Sequence, residues 1–400
     1  MTRPSRNSLV LDGGEIKYRL EAERLATGSA VHVDWLRFTV LLRHAEAPDV
    51  EVMFPKDAPV YDSIWDAKTR QIKLHKALSL LPDADYSAGV QAGQLAREVC
   101  EALGADFMPA VEPGKGHDFY RYRLPILRND CEVGWIGYLS SGDSPRQAAQ
   151  ARTMHVNLYG AACTFAARGW SDRLADLIDA RHGDITRCDL ALDFFDGMAG
   201  GLDGVMQDYK NGLCDSGGRK LKCNTVGDWA NGRERSFYFG SKEAGKQTNV
   251  YEKGDQLFGL DSCNPWVRIE LRYGNKLRVL PSDMLRRPAD FFSGASEWHA
   301  AKLAEIGAIA SPEKVRCEGR LALETADAEV TRNLRWLLNT AAPTLAAAFK
   351  FLDFEEFQPL LYAKRLPGRL AKFSESEAAA AFARVVNRVI PAGGACPVPA

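Results

Sequence analysis

Three short stretches of the chain carry side chains that could do chemistry together: Arg187-Cys-Asp-Leu-Ala-Leu-Asp193, Asn249-Val-Tyr-Glu-Lys253 and Trp266-Val-Arg-Ile-Glu-Leu-Arg272. Side chains on a strand alternate between its two faces. In the first stretch Cys188, Leu190, Leu192 and Phe194 fall on one face, and Arg187, Asp189 and Asp193 on the other. In the third, Val267, Ile269 and Leu271 oppose Arg268, Glu270 and Arg272, while the second groups Asn249, Tyr251 and Lys253. Three such strands combine an apolar underside with an upper face of carboxylates, arginines, a lysine and a tyrosine. That inventory suits a metal-dependent site acting on a phosphate ester.

Aspartate is disfavoured in strands, so two on one face need a reason. Either they meet solvent beside Arg187 on a half-exposed sheet, or they serve a site. Four residues of strand cover ~13 Å, so Asp189 and Asp193 cannot both bind one ion directly unless a bulge bends the strand. Asp189, deeper in the strand, is the expected metal ligand, and Asp193 is expected beside the metal or on the substrate side. Glu270 is the natural partner, and hard carboxylate oxygens suit Mg²⁺ or Mn²⁺. The seven histidines are scattered and include no His-hydrophobe-His pair, which argues against paired-histidine ligation. His155 stands on a strand near these motifs, where it either assists the site or is a satisfied packing residue.

Tyr251 is the nucleophile candidate; the competing reading is packing, as for any of the twelve tyrosines. A phenol has a pKa of about 10, so attack needs a metal on the phosphate or a cation near the ring. Lys253, two residues on, is placed to be that cation. Tyr238, between Phe237 and Phe239, is expected to pack within the sheet. A basic supply interleaved with aromatic rings runs from Lys210 to Lys253, which is how single strands are commonly held. From it Arg235 and Lys246, and from the upper face Arg187, Arg268 and Arg272, are the expected DNA contacts.

The elements that must position these residues follow from pattern. Val31–Leu42 reads as a strand, Gln91–Leu103 as an amphipathic helix, and Phe119–Leu127 and Glu132–Leu139 as strands joined at Asn129-Asp130. Met154–Tyr159 is a short strand, and 161–180 is helical with a break at Gly169. Strands near 185–195, 234–240, 247–253 and 265–272 and a helix near 202–210 complete an α+β domain: an antiparallel-rich sheet with flanking helices. After Pro281 helical composition takes over. The expected organisation is a polar lead-in over 1–30, a catalytic domain over 31–295, a helical region over 296–390 and a disordered tail over 391–400.

Composition bounds the class. The chain has 400 residues, 46% of them hydrophobic, and a net charge of -1, enough for a sizeable core but not for a uniformly basic coat. Its nine cysteines form no CxxC, which points to free thiols in a reducing compartment and away from a zinc ribbon. No GxxxxGK[ST] follows a strand, so ATP hydrolysis has no support. Neither a leader nor a spanning segment is visible, and a cytoplasmic protein without membrane partners is expected.

Six motifs in order resemble the replication initiation factors of filamentous phages and rolling-circle plasmids, which are related to conjugative-element relaxases. They are Val33-Asp-Trp-Leu-Arg-Phe-Thr39, His155-Val-Asn-Leu-Tyr-Gly160, Ile185–Asp193, Tyr238-Phe-Gly-Ser241, Val250-Tyr-Glu-Lys253 and Trp266-Val-Arg-Ile-Glu-Leu271. The resemblance implies a DNA nicking domain in which Tyr251 is the nucleophile and Asp189 and Glu270 hold a divalent metal. Where the pattern leads one to expect an acid, this chain has Asn157, so either its amide oxygen is a ligand or the third ligand comes from elsewhere, such as Asp34. The implied partner is origin DNA in a bacterial host, with dimerisation or contact with host helicase or polymerase assigned to the helical C-terminal region. A non-catalytic origin-binding or copy-control protein, a relaxase for transfer and a nuclease using water are the alternatives.

Overall fold

The computed structural model describes residues 12–45, 85–307 other than 143, 145, 146, 148 and 149, then 312–352, 356 and 368–389. The chain divides into two compact units at 317/318. The tail 391–400 lies outside the described residues.

The first unit is built on one antiparallel sheet. Its strands are β1 Val31–Leu41, β2 Phe107–Pro109, β3 Gly114–Lys115, β4 Tyr120–Arg128, β5 Cys131–Ser140, β6 Thr153–Leu158, β7 Asp184–Phe194, β8 Cys223–Asp228, β9 Arg233–Ser241, β10 Lys246–Glu252 and β11 Val267–Gly274. They run in the order β2-β4-β5-β6-β1-β7-β11-β10-β9-β8, with β3 beside β4. The expected α+β class and antiparallel pairing hold. The Asn129-Asp130 turn joins β4 to β5 with both residues at positive φ, 49° and 59°, the geometry a tight two-residue hairpin requires.

Helices α1 Gly13–Thr27, α2 Asp85–Leu103, α3 Gly160–Phe165, α4 Trp170–Ala180, α5 Gly201–Lys210, α6 Lys253–Phe258, α7 Asp283–Arg286, α8 Pro288–Ser293 and α9 Glu297–Glu305 flank the sheet. The polar lead-in thus contains a helix, α1, started by Asp12, whose carboxylate accepts from the Gly14 and Glu15 amides. Helix α9, assigned from sequence to the C-terminal region, falls within the first unit. Gly169 in the left-handed conformation separates α3 from α4, as its sequence position suggests.

The sheet's underside is apolar. Val33, Leu36 and Phe38 of β1, Leu190 and Leu192 of β7, Ile269 and Leu271 of β11 and Val250 of β10 share one core. Leu95, Val99 and Leu103 of α2, Leu174 and Ile178 of α4, and Phe291 and Phe292 of α8 belong to the same core. In β1 the alternation slips: Val33 and Leu36, three residues apart, are both buried beneath the sheet. The β1–β7 register shifts between Val33 and Trp35. This bulge sends Asp34 and Trp35 together to the upper face.

The second unit contains α10 Arg320–Trp336, α11 Ala342–Phe351 and α12 Glu375–Val389. Val330 and Leu334 of α10 share a small core with Leu370 and with Ala381 and Val385 of α12, and Arg384 reaches Asp327 at 2.7 Å.

Candidate active site

Strands β1, β7, β11 and β10 are consecutive neighbours, and their registers lay the polar residues out in rows. One row is Asp193, Arg268, Tyr251; the next is Ala191, Glu270, Asn249; the third is Asp189, Arg272, Gln247. Asp34 enters from the β1 bulge. The sheet therefore brings together six of the sequence-derived site residues, Asp34, Asp189, Asp193, Tyr251, Arg268 and Glu270, and Lys253 follows at the start of α6.

Arg268 is the hub of the first row. It is 2% exposed, and its Nε and Nη2 donate to both oxygens of Asp193, at 2.7 and 3.0 Å. Its Nη1 donates to Asp34 Oδ1 at 2.6 Å, and Trp266 Nε1 donates to Asp193 Oδ1 at 2.6 Å. His32 lies 3.7 Å from Asp193 and 4.0 Å from Asp34, and burial pulls its pKa down to about 4, so it stays neutral at physiological pH. Burial opposes ionisation of the two aspartates, yet Arg268 holds both below the usual carboxylate range. Arg268, expected to touch DNA, is instead enclosed by its two carboxylates. Asp193 serves it as counter-ion.

The third row is a second ion network. Arg187 clasps Asp189 through Nε at 2.8 Å and through Nη2, and Arg272 reaches Asp189 at 3.3 Å and Glu270 at 3.3 Å. Glu270 is pushed up to about 8 by burial, then by the negative charges of Asp34 and Asp189. Three carboxylates thus press on one another from adjoining strands, and one retains a proton near neutral pH. Carboxylate oxygens are the donor class that Mg²⁺ or Mn²⁺ takes. Among the described residues no group of three or more His, Cys, Asp or Glu side chains is placed to hold a metal ion.

Tyr251 lies opposite Arg268 in the β10–β11 register. Burial pushes its phenol well above 10, and Arg268 is the cation that works against that shift. Lys253 sits over the Tyr251 ring, 5.6 Å from its centroid, and burial, then Arg268, lowers its pKa to about 8.

The remaining sequence-derived residues lie elsewhere. Asn157 is 2% exposed, and its Oδ1 accepts from Trp35 Nε1 at 2.8 Å and Arg37 Nε at 3.1 Å. His155 bonds Thr39 at 3.1 Å, stacks near Tyr120 and is lowered to about 4 by burial, two strands from β7. Arg235 and Lys246 are not on the Tyr251 face. Arg235 binds Glu252 and Asp203 of α5, and Lys246 donates to the Ala295 carbonyl at 2.7 Å. Tyr238 corrects its expectation in the other direction: Phe237 and Phe239 are buried beneath, while Tyr238, opposite Asn249, lies half-buried on the Tyr251 face. His32 and the Trp35–Arg37 pair were absent from the sequence reading as site residues. The broken alternation Val33-Asp-Trp-Leu36 is the signal that could have found Trp35.

Residues 183–359 match the family model of the replication initiation factors. The resemblance carried by the ordered motifs is thereby shown over that span, which includes every residue of the site except those on β1. No curated protein matches the chain. Among solved structures, the rolling circle replication initiator protein from Geobacillus stearothermophilus is 17% identical, with a TM-score of 0.40 over 66% of this chain and 83% of that one. No helix among the described residues is long and apolar enough to cross a membrane.

Proposed function

We propose that this replication initiation factor homologue starts rolling-circle replication by nicking one strand of origin DNA and later rejoining it through Tyr251. The observation that carries the reading is the Asp193–Arg268–Tyr251 row beside Asp34 and Glu270, inside the family-matched region. The Tyr251 oxygen bonds to phosphorus as the bond from phosphorus to the 3′-oxygen breaks. The 5′-phosphate stays on the tyrosine, and the 3′-oxygen takes up a proton and becomes a free hydroxyl able to prime synthesis. The reverse reaction reseals a strand without ATP, because the phosphotyrosine conserves the bond.

Arg268 favours the phenolate in the buried setting that otherwise opposes it. Lys253, titrating at about 8 against the same ring, is suited to take the phenolic proton and return it during rejoining. A divalent cation held by Asp34, Asp189 and Glu270 would supply positive charge for the phosphoryl oxygens. Asp193 keeps Arg268 in place.

The test is a labelled origin oligonucleotide incubated with Mn²⁺ and resolved for a protein-linked product. Tyr251→Phe should abolish the adduct, and an undiminished adduct would sink the nucleophile assignment. Cleavage that survives Tyr251→Phe with no linked end would identify a nuclease using water. Origin binding with no adduct under any divalent metal would leave a non-catalytic origin-binding protein.

A further inference from the structure

On the upper face, beside Asp189 but away from Tyr251, lies a run of rings and guanidinium groups that reaches past the nicking residues. Arg187 covers Trp35 at 4.6 Å from its ring centroid, and Tyr159 packs against Trp35 at 5.0 Å and 46°. Arg37 completes the group 5.9 Å from the same ring. Trp35, Tyr159, Arg37 and Arg187 are all half-buried, so each keeps surface for a ligand.

Asn157 fixes the arrangement. Its single amide oxygen takes both the Trp35 indole N–H and the Arg37 Nε–H. An aspartate there would add a negative charge; the neutral amide holds the same two donors without it. The nearby acids are each paired: Asp189 is clasped by Arg187, Asp118 binds Arg37 at 3.2 Å, and Glu132 is held by Arg123 at 2.7 Å and by the Tyr159 hydroxyl at 3.1 Å.

We infer that Trp35, Tyr159, Arg37 and Arg187 form a platform for unpaired nucleotides flanking the nick, with Asn157 as its positioning residue. Aromatic rings and arginine planes stack on any exposed base, and guanidinium groups follow the phosphates. Duplex DNA hides its base faces and gains nothing from the rings. Three strand spacings, ~14 Å, separate β1 from β10, so the platform holds a flanking nucleotide and not the scissile one. The role assigned to the flank rests on the nicking function proposed above; the affinity for single strands does not.

The experiment uses the full chain carrying Tyr251→Phe, without metal, and a fluorescein-labelled oligothymidine read by anisotropy. Trp35→Ala and Tyr159→Ala should each weaken binding on the order of tenfold, while Trp35→Phe stays within about threefold. Asn157→Ala should weaken it as well, and Asn157→Asp should steepen its dependence on salt. A labelled blunt duplex should bind all variants alike. Oligothymidine affinity within twofold of the parent for both Trp35→Ala and Tyr159→Ala overturns the platform. An equal loss on duplex overturns it too. Failure of the wild-type chain to form a covalent adduct would remove the nicking function and leave these binding results standing.

Discussion

Arg268 and Asp193 face each other on β11 and β7 and share both carboxylate oxygens, at 2.7 and 3.0 Å, with neither side chain reaching solvent. A fully buried pair of this kind is costly to form, and removing Asp193 leaves Arg268 with Asp34 as its remaining counter-ion and the Trp266 indole N–H without its acceptor. Asp193→Ala should therefore lower stability by about 3–5 kcal/mol, as read from urea denaturation. Loss of nicking with unchanged stability would mean that Asp193 acts on substrate or metal instead.

Tyr251→Phe separates chemistry from folding. The hydroxyl is lost while the ring under Lys253 and beside Arg268 remains. Covalent adduct should fall below detection, and stability should stay within about 1 kcal/mol of the parent. Denaturation and adduct assays on the same preparation check both halves.

Glu270 supplies the pH dependence. Its folded pKa of about 8 exceeds the ordinary 4.5 because of burial and the charges of Asp34 and Asp189, against the partial relief of Arg272. The folded state therefore binds more protons than the unfolded one between those values, and stability must fall as pH rises through that window. The contribution is fully present below about 4.5 and gone above about 8. Glu270→Gln removes the titration, so its melting temperature should gain on the parent as pH rises from 5 to 8.5. Mn²⁺ should raise the parent's melting temperature at pH 8 and leave the variant's nearly unchanged. Parallel melting curves for parent and variant across that range would refute a proton held on Glu270.

Much of this was legible in the sequence because strand alternation is a strong signal. The period of two in 187–193 and 266–272 gave the upper face, and the sheet put those strands side by side. What the sequence withheld was which charges would neutralise one another. Asp189 and Asp193 read as exposed strand aspartates or ligands, whereas cross-strand register gives each an arginine, and such partners are set by residues about eighty positions away. The edge strand β8 was also missed. It is exposed throughout, so no buried face imposes an alternation on its sequence. Trp35 carries no unambiguous face signal in the sequence because a one-residue slip reverses which face a side chain takes, and only pairing with β7 reveals it.

The same rule of register decides between two groups of cations. Lys246 lies on β10 five residues before Tyr251, an odd separation that puts it on the opposite face, where it donates to the Ala295 carbonyl. Arg235 likewise faces α5 and is occupied by Glu252 and Asp203. Both stand in the basic stretch from Lys210 to Lys253, so composition makes them DNA contacts and geometry makes them fasteners of the helical layer. Lys246→Met should cost about 1–2 kcal/mol from the lost charged hydrogen bond and leave affinity for a single-stranded origin oligonucleotide within twofold. Arg37→Ala, on the upper face, should weaken that affinity severalfold and reduce its salt dependence, as loss of a phosphate contact requires. Anisotropy titrations of the two variants at 50 and 200 mM salt check the contrast. A salt slope reduced by Lys246→Met but not by Arg37→Ala would put the DNA on the other side of the sheet.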